Sequence, residues 1–296
     1  MVNTDIDDVR GALLLADPRL SRFDPLPRLL SHDDFDRGHC GWSQLIGNYE
    51  GSLDTILPGY RGMTNPMLST LSHWDGGSHG GWDGSYALKV ATHARQDAIS
   101  VAIKRLTFRK PGPVRLEFYA TFKPEASDLA LSDRDLKSIG FLLDLQAGDQ
   151  TEGAQRVMPH LRYLNARDGE LQQKWQFKRQ APAISDIGGR NETVSHFHLA
   201  DEDWEDLPGG AQRLCYNEIA TKVNWHYFRF DFDLSTMSAL RFQCNDRVFD
   251  MEAFDAIRLP AMKNLWCMLN ICLFAETASD KRAFLYVDSV CLSGAL

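Results

Sequence analysis

The chain has 296 residues, 44% hydrophobic and 24% charged, with a formal net charge of −8 and a sequence pI near 5.6. That size allows one large all-β domain or two ordinary ones, and the composition is that of a soluble globular protein. The acidic balance and the lack of any basic run exclude a nucleic-acid backbone or an anionic membrane as the main partner. No apolar run approaches the ~20 residues of a membrane-spanning helix.

The opening, Met1-Val2-Asn3-Thr4-Asp5-Ile6-Asp7-Asp8, is acidic and lacks the basic and apolar regions of a secretory signal. The six cysteines (Cys40, Cys215, Cys244, Cys267, Cys272, Cys291) are scattered and form no C-x-x-C pair. Both features lead us to expect a cytoplasmic protein with reduced core thiols.

Residues 1–32 read as an N-terminal strap, and residues 33–296 as a single β-sandwich domain. Val9 to Ala16 offers one short helix or strand before Asp17-Pro18, and Pro25 and Pro27 then interrupt regular structure. From Ser43 to Gly81 the chain is rich in Gly, Ser, Pro and Asn. A polar connection of that length is uncommon unless it serves a function. It carries Tyr60, Arg61, His73, Trp74 and His79, which makes it a candidate binding loop.

Beyond Gly84 the signal is repeatedly β. Strands are predicted at 85–90, 99–103, 114–122, 139–146, 160–164, 171–178, 225–232, 240–245, 265–274 and 284–292. Aromatic and β-branched residues recur in these runs, with turn residues between them. Arg167-Asp168-Gly169 predicts a hairpin turn. Helix is limited to about one turn at 133–137, with a second candidate turn at 203–206. About ten strands and almost no helix predict an all-β fold, a jelly-roll antiparallel β-sandwich with one long loop. The closing strand, Phe284 to Leu292, carries one acid, Asp288, which requires a partner if buried.

Three stretches carry a resemblance. Phe35-Asp36-Arg37-Gly38 with Gly41-Trp42 resembles the "FE-x-G … GW" opening of jelly-roll carbohydrate-binding modules of the galactose-binding-like superfamily. Gly84 to Val90 is similar to their "GxYSLKV" strand, and Leu285 to Leu292 to their closing "YIDDVSL". The three occur in the family's order and frame residues 35–292, although this chain is about twice the length of such a module. The middle stretch, Asn224 to Leu234 followed by Leu240 to Asp246, instead resembles the "W-H … F-D-L … V-N-D" run of concanavalin-like (laminin-G-like) sandwiches. Both families are jelly rolls, and the first implies carbohydrate recognition.

The first resemblance also implies a structural calcium, which would fall on Asp36, Asp83, Ser85 and Asp288. Calcium takes carboxylate and carbonyl oxygens. The plainer reading has these acids capping turns or pairing with basic residues at the rim. In the long loop, His73, Trp74 and His79 lie among glycines, which suits close approach of a ligand and stacking on a sugar ring. A glycine-rich turn with core tryptophans fits the same residues. On the strands, alternation puts His160 and Arg162 on one face and Leu161 and Tyr163 on the other. Asp144 shares a face with Gln146, and Trp266 with Met268 and Asn270.

Arrayed on one sheet, Asp144, His160, Arg162, Trp266 and Asn270 form a surface suited to a hydroxyl-rich ligand. Ordinary solvated strand faces are the alternative. Catalytic pairings of Asp144 with His160, or of Tyr60 or Tyr163 with a histidine, are not singled out by spacing. Nucleophile-elbow, phosphate-loop and dinucleotide motifs are missing from the sequence. The leading expectation is recognition of a small glycoside or oligosaccharide. A glycan-active hydrolase or lyase on the same surface comes second. Third is an assembly protein, a homo-oligomer joined through exposed aromatics such as Trp204 and Trp266.

Overall fold

A computed structural model describes residues 6–45, 64–70, 80–125, 132–180, 201–216 and 224–295. The elements run α1 (Ile6–Leu15), β1 (Arg28–Asp33), β2 (Trp42–Gln44), β3 (Met67–Ser69), β4 (Ala87–Ala91), β5 (Ile99–Thr107), β6 (Pro113–Pro124) and β7 (Leu136–Gln146). They continue with β8 (Gln155–Met158), β9 (His160–Arg167), β10 (Glu170–Lys178), β11 (Trp204–Ala211), β12 (His226–Asp233) and β13 (Ser238–Cys244). The last four are β14 (Arg247–Asp250), β15 (Ile257–Pro260), β16 (Met268–Thr277) and β17 (Ala283–Gly294). Among the described residues no helix is long and apolar enough to cross a membrane.

These strands form two antiparallel sheets packed face to face in an all-β jelly-roll sandwich, as the strand pattern predicts. The first sheet runs β14-β13-β12-β6-β17-β4-β3, with β1 also on β17. The second runs β11-β10-β9-β7-β16-β5-β2, with β8 and β15 as an appended pair. The core between them is aromatic. Phe118 stacks on Phe228 at 4.8 Å and meets Phe141 edge-on at 5.5 Å, while Trp175 meets Phe242 edge-on at 4.6 Å. These offset and edge geometries add to the burial of large apolar surfaces. The indole N–H of Trp175 donates to Gln212 Oε1 at 2.8 Å, so no polar atom of that ring is left unpaired in the core.

Strand β17 is central. All twelve of its residues are buried, and it pairs with β6 along one side. On the other side it is shared, with Phe284 to Val287 pairing to β4 and Val290 to Gly294 to β1. Asp288 and Ser289 fall at the handover, where Ser289 takes φ +56 and the register against β6 shifts. Beyond α1, Leu20 and Phe23 bury against Tyr119 and Cys291 on the outer face of the first sheet. The chain then enters β1, which crosses the boundary at residue 32.

Three local readings are revised. The one-turn helix at 203–206 is instead the start of β11, which runs through Pro208-Gly209-Gly210. That sequence is tolerated because β11 is an edge strand, where proline breaks no ladder on its outer side. The segment 43–81 is not wholly loop, since β2 and β3 lie in it. Trp266 is not on β16, because Cys267 at φ +56 turns the chain before the strand begins. By contrast, the hairpin at Asp168-Gly169 forms as read, with φ of +52 and +76 at the two turn residues.

Candidate functional site

The period-2 pattern of β9 and β7 decides which side chains leave the core. Leu161 and Tyr163 lie in the inter-sheet core, so His160 and Arg162 project from the outer face of the second sheet. Register does the rest: Arg162 is opposite Gly140 on β7 and Gln176 on β10, and Lys178 is opposite Trp204 on β11. An added Cβ at Gly140 would lie 2.3 Å from the Leu161 carbonyl and 2.4 Å from the Phe274 ring. Glycine is therefore needed beneath this face.

Arg162 is the centre of the site and only 2% exposed. Its Nε donates to Gln176 Oε1 at 2.7 Å and its Nη1 to Asp201 Oδ1 at 2.8 Å. Its Cζ lies 4.3 Å from the centre of the Trp204 ring, a cation–π distance. Nη2 is buried and has no hydrogen-bond partner. Burial pulls the guanidinium below its ordinary pKa. Lys178 is fully buried beside it, 5.2 Å from the same indole. Burial first, and then the Arg162 charge, pull Lys178 down to about 8.

Around this pair lies a charged network. Asp201 Oδ1 also accepts from Arg167 Nη2 at 2.7 Å, and its Oδ2 lies 3.5 Å from Lys137 Nζ. Lys137 reaches Glu276 at 2.9 Å and Asp97 at 3.2 Å, and the Ser138 hydroxyl donates to Glu276 at 2.9 Å. Burial opposes the Lys137 charge, but Glu276, Asp201 and Asp97 outweigh it and raise the pKa. Burial likewise works against the Asp201 carboxylate, which Arg162 and its neighbours hold below the usual range. The network opens into a cavity of about 620 Å³, lined by Asp97, Lys137, Arg167, Asp168, Asp201 and Glu202 among others.

The residues expected from sequence separate into groups. Arg162 is central, and His160 is beside it but fully buried. The His160 Nδ1 lies 2.8 Å from the Met158 carbonyl, and burial pulls its pKa to about 3. A neutral, enclosed imidazole of this kind is a packing group rather than a base. Tyr163 faces the core and is pushed up by burial to about 12. Asp144 lies four residues from Gly140 on β7, about 13 Å along the strand. It is locked in a two-point ion pair with Arg156 at 2.6 and 2.8 Å, with the Asn270 amide 3.4 Å away. Trp266 is 49% exposed, bonds Glu152 at 3.3 Å and lies off the strand. Tyr60, Arg61, His73, Trp74 and His79 fall outside the described residues.

Lys137, Gln176, Lys178, Asp201 and Glu276 were not picked out from sequence. Alternation within Leu171–Lys178 does place Gln176 and Lys178 on one face. Glu276 joins them through the register of β16 against β7, and Asp201 through the bend just ahead of β11.

Asp36, Asp83, Ser85 and Asp288 do meet, but as partners of one another's backbone. Asp36 Oδ1 accepts the N–H groups of Ser85 and Tyr86 at 2.8 and 3.0 Å. Asp288 Oδ2 accepts those of Trp82 and Asp83 at 2.6 and 3.2 Å. The Asp83 carboxylate pairs with Arg22, whose guanidinium lies 5.1 Å from the Trp82 ring centre. Segment 82–86 thus aims N–H donors at these acids, and Ser85 gives a donor where calcium needs an oxygen. Among the described residues no three His, Cys, Asp or Glu side chains converge as a metal site. The donor set does not fit the calcium that the resemblance implies.

Comparison with solved structures finds distant likenesses in shape. One chain, described under "Prominent members of the human gut microbiota express endo-acting O-glycanases to initiate mucin breakdown", is 11% identical. It aligns over 90% of this chain and all of its own, with a TM-score of 0.43. The alginate lyase Aly36B, bound to an alginate trisaccharide, is 11% identical over 86% of this chain and 99% of its own, at 0.40. The Emp47p carbohydrate recognition domain is 10% identical over 70% and 83%, at 0.37. At TM-scores below 0.5 none of these likenesses extends to a site or a reaction. No curated protein matches the chain in sequence. The match that covers it is to the family model described as "Domain of unknown function (DUF6772)", from residue 10 to 296, and the chain belongs to that family.

Proposed function

We propose that this protein recognises a small glycoside or oligosaccharide on the outer face of its second sheet, at the Arg162 end. The observation that carries this reading is the cavity of about 620 Å³ with Asp201 on its wall, bonded to the buried Arg162 behind. Sugar hydroxyls both donate and accept, so they bind best where fixed carboxylates, amides and guanidinium groups stand together. Asp97, Asp201 and Lys137 line the cavity, and Gln176 holds Arg162 from the side away from Asp201. The free thiols support a reducing compartment, the cytoplasm, where such a ligand would be a small molecule and not a polymer.

A glycan array run beside a chromogenic glycoside panel tests the proposal. Binding without turnover is expected, with affinity reduced at least tenfold in Asp201→Asn. Silence on the array, or binding indifferent to that substitution, removes the reading. Product released from the panel by wild type would establish an enzyme in place of a binding protein.

A further inference from the structure

We infer that residues 17–27 are a releasable cover over a second binding face, the outer face of the first sheet, and that this face takes an uncharged saccharide. It lies on the opposite side of the sandwich from the Arg162 network. Alternation along β6 and β12 buries Leu116, Phe118, Phe228 and Phe230 in the core and turns the residues between them outward. Register then pairs Tyr119 with Tyr227, Glu117 with Arg229 and Arg115 with Asp231. These groups hold one another without help from the cover. Tyr227 donates to Glu117 Oε1 at 2.6 Å, while Asp231 accepts from Arg115 Nε at 2.8 Å and from Arg229 Nη2 at 2.7 Å. Beside them Trp82, 43% exposed, meets Tyr119 edge-on at 4.1 Å. Fixed carboxyls and guanidinium groups beside aromatic rings suit sugar hydroxyls and the apolar face of a sugar ring.

In the closed protein the cover occupies these groups. Asp24 donates its N–H to Glu117 Oε1 at 2.9 Å, and its carboxylate accepts from Arg115 Nη1 at 2.7 Å and Arg229 Nη1 at 3.1 Å. Tyr119 donates to the Arg22 carbonyl at 3.1 Å, and the Leu26 N–H to the Ser293 hydroxyl at 2.9 Å. Leu20 and Phe23 are its buried apolar anchors.

The closure is incomplete. Arg22 Nη1, Glu117 Oε2 and the Nε2 of His32, whose ring meets Phe23 edge-on, are buried with no hydrogen-bond partner. Such atoms cost the closed state free energy and regain water when it opens. The Asp24 side chain is 71% exposed, so water competes for its ion pairs. A segment with two apolar anchors and exposed polar bonds opens before the core does.

Charge sets the ligand class. The cover carries Asp17, Arg19, Arg22 and Asp24 and is neutral as a whole. Beneath and beside it, Arg115 and Arg229 stand against Glu117, Asp231, Asp83 and Asp288, so there is no positive excess to hold an anion. Burial pushes Glu117 and Asp288 towards their neutral forms, which leaves two charges of each sign.

Cys291 reports on the cover, because Leu20 and Phe23 pack with it in one buried cluster. The full chain is treated with iodoacetamide under native conditions, and the rate at each cysteine is read by peptide mass spectrometry. Cys291 is expected to react at least tenfold faster than the core thiol Cys244. Asp24→Ala, checked for its β-rich circular dichroism, is expected to speed Cys291 a further tenfold and leave Cys244 unchanged. Equal wild-type rates at Cys291 and Cys244 overturn the releasable cover, whatever the variant does. The same proteins are applied to an array of neutral oligosaccharides. Signal is expected to rise at least threefold in Asp24→Ala, to survive Asp201→Asn added to it, and to be lost when Trp82→Ala is added instead. A signal no higher in Asp24→Ala than in wild type overturns the second face. So does a gain that Asp201→Asn removes and Trp82→Ala does not, and that result leaves the site on the second sheet standing.

Discussion

Replacing Asp288 by Asn probes how the two halves of the β17 edge are joined. Asp288 lies where β4 hands over to β1 and is 1% exposed. Its Oδ2 takes two backbone N–H groups, and the Ser289 hydroxyl donates to its Oδ1 at 3.2 Å. Burial lifts the carboxyl from its ordinary 3.8 to about 6, and the hydrogen bonds offset only part of that.

Such a rise disfavours the ionised folded form by about 3 kcal/mol, at 1.36 kcal/mol for each tenfold change in proton affinity. The folded carboxyl holds its proton more tightly than the unfolded one. The stabilisation is therefore complete below pH 3.8 and lost as pH rises through about 6. Asparagine keeps an acceptor for the N–H pair and never ionises. The stability of Asp288→Asn relative to wild type should thus rise by about 3 kcal/mol between pH 3.5 and 7.5, or about 5 °C in melting temperature for a chain of this size.

Every other titrating group is shared by the two proteins and drops out of the difference. Thermal melts of both proteins across this range measure it. A difference that stays flat with pH would refute the account. So would calcium raising the melting temperature of wild type and not of Asp288→Asn, because Asp288 would then be a metal ligand.

Further expectations follow from the same geometry. Asp288→Ala removes the acceptor of two part-buried N–H donors and should be less stable than Asp288→Asn by about 1–3 kcal/mol at every pH, read by urea denaturation. Chelator and added calcium should each move the wild-type melting temperature by less than about 1 °C, well under the several degrees that losing a structural ion would cause. Gly140→Ala should destabilise by about 2 kcal/mol or more, since its methyl would meet the Leu161 carbonyl and the Phe274 ring. Trp266→Ala should leave sugar binding on an array unchanged, because that indole lies off the strand and away from the Arg162 network.

What the sequence determined by itself was everything that depends on near neighbours along the chain. Strand alternation identified the two faces of β9, and with them the outward placement of Arg162 and the inward placement of Tyr163. Asp168-Gly169 specified its own turn, because only residues that accept positive φ close so short a hairpin. The aromatic and aliphatic residues of 284–292 marked the closing strand β17, while its central place came only with its pairing to β6, β4 and β1. Strands of three or four residues, such as β2, β3, β8, β14 and β15, are too short to show a period and were missed. β11 was hidden by Pro208-Gly209-Gly210, which only an edge position excuses.

The tertiary structure decided who meets whom. Asp144 and Arg162 looked equivalent as polar residues on outward faces. Register gave Asp144 to Arg156, in a closed ion pair, and left Arg162 with one buried nitrogen that has no hydrogen-bond partner. Asp288 announced that it needed a partner, but nothing local could say whether that partner was a cation or a backbone loop two hundred residues earlier. The pairing of β17 with two different strands leaves Asp288 at the handover between them, where the N–H groups of Trp82 and Asp83 reach its side-chain carboxylate. A side chain's direction is fixed by its own backbone, but its partner is fixed by sheet order and register, which depend on the packing of the whole core.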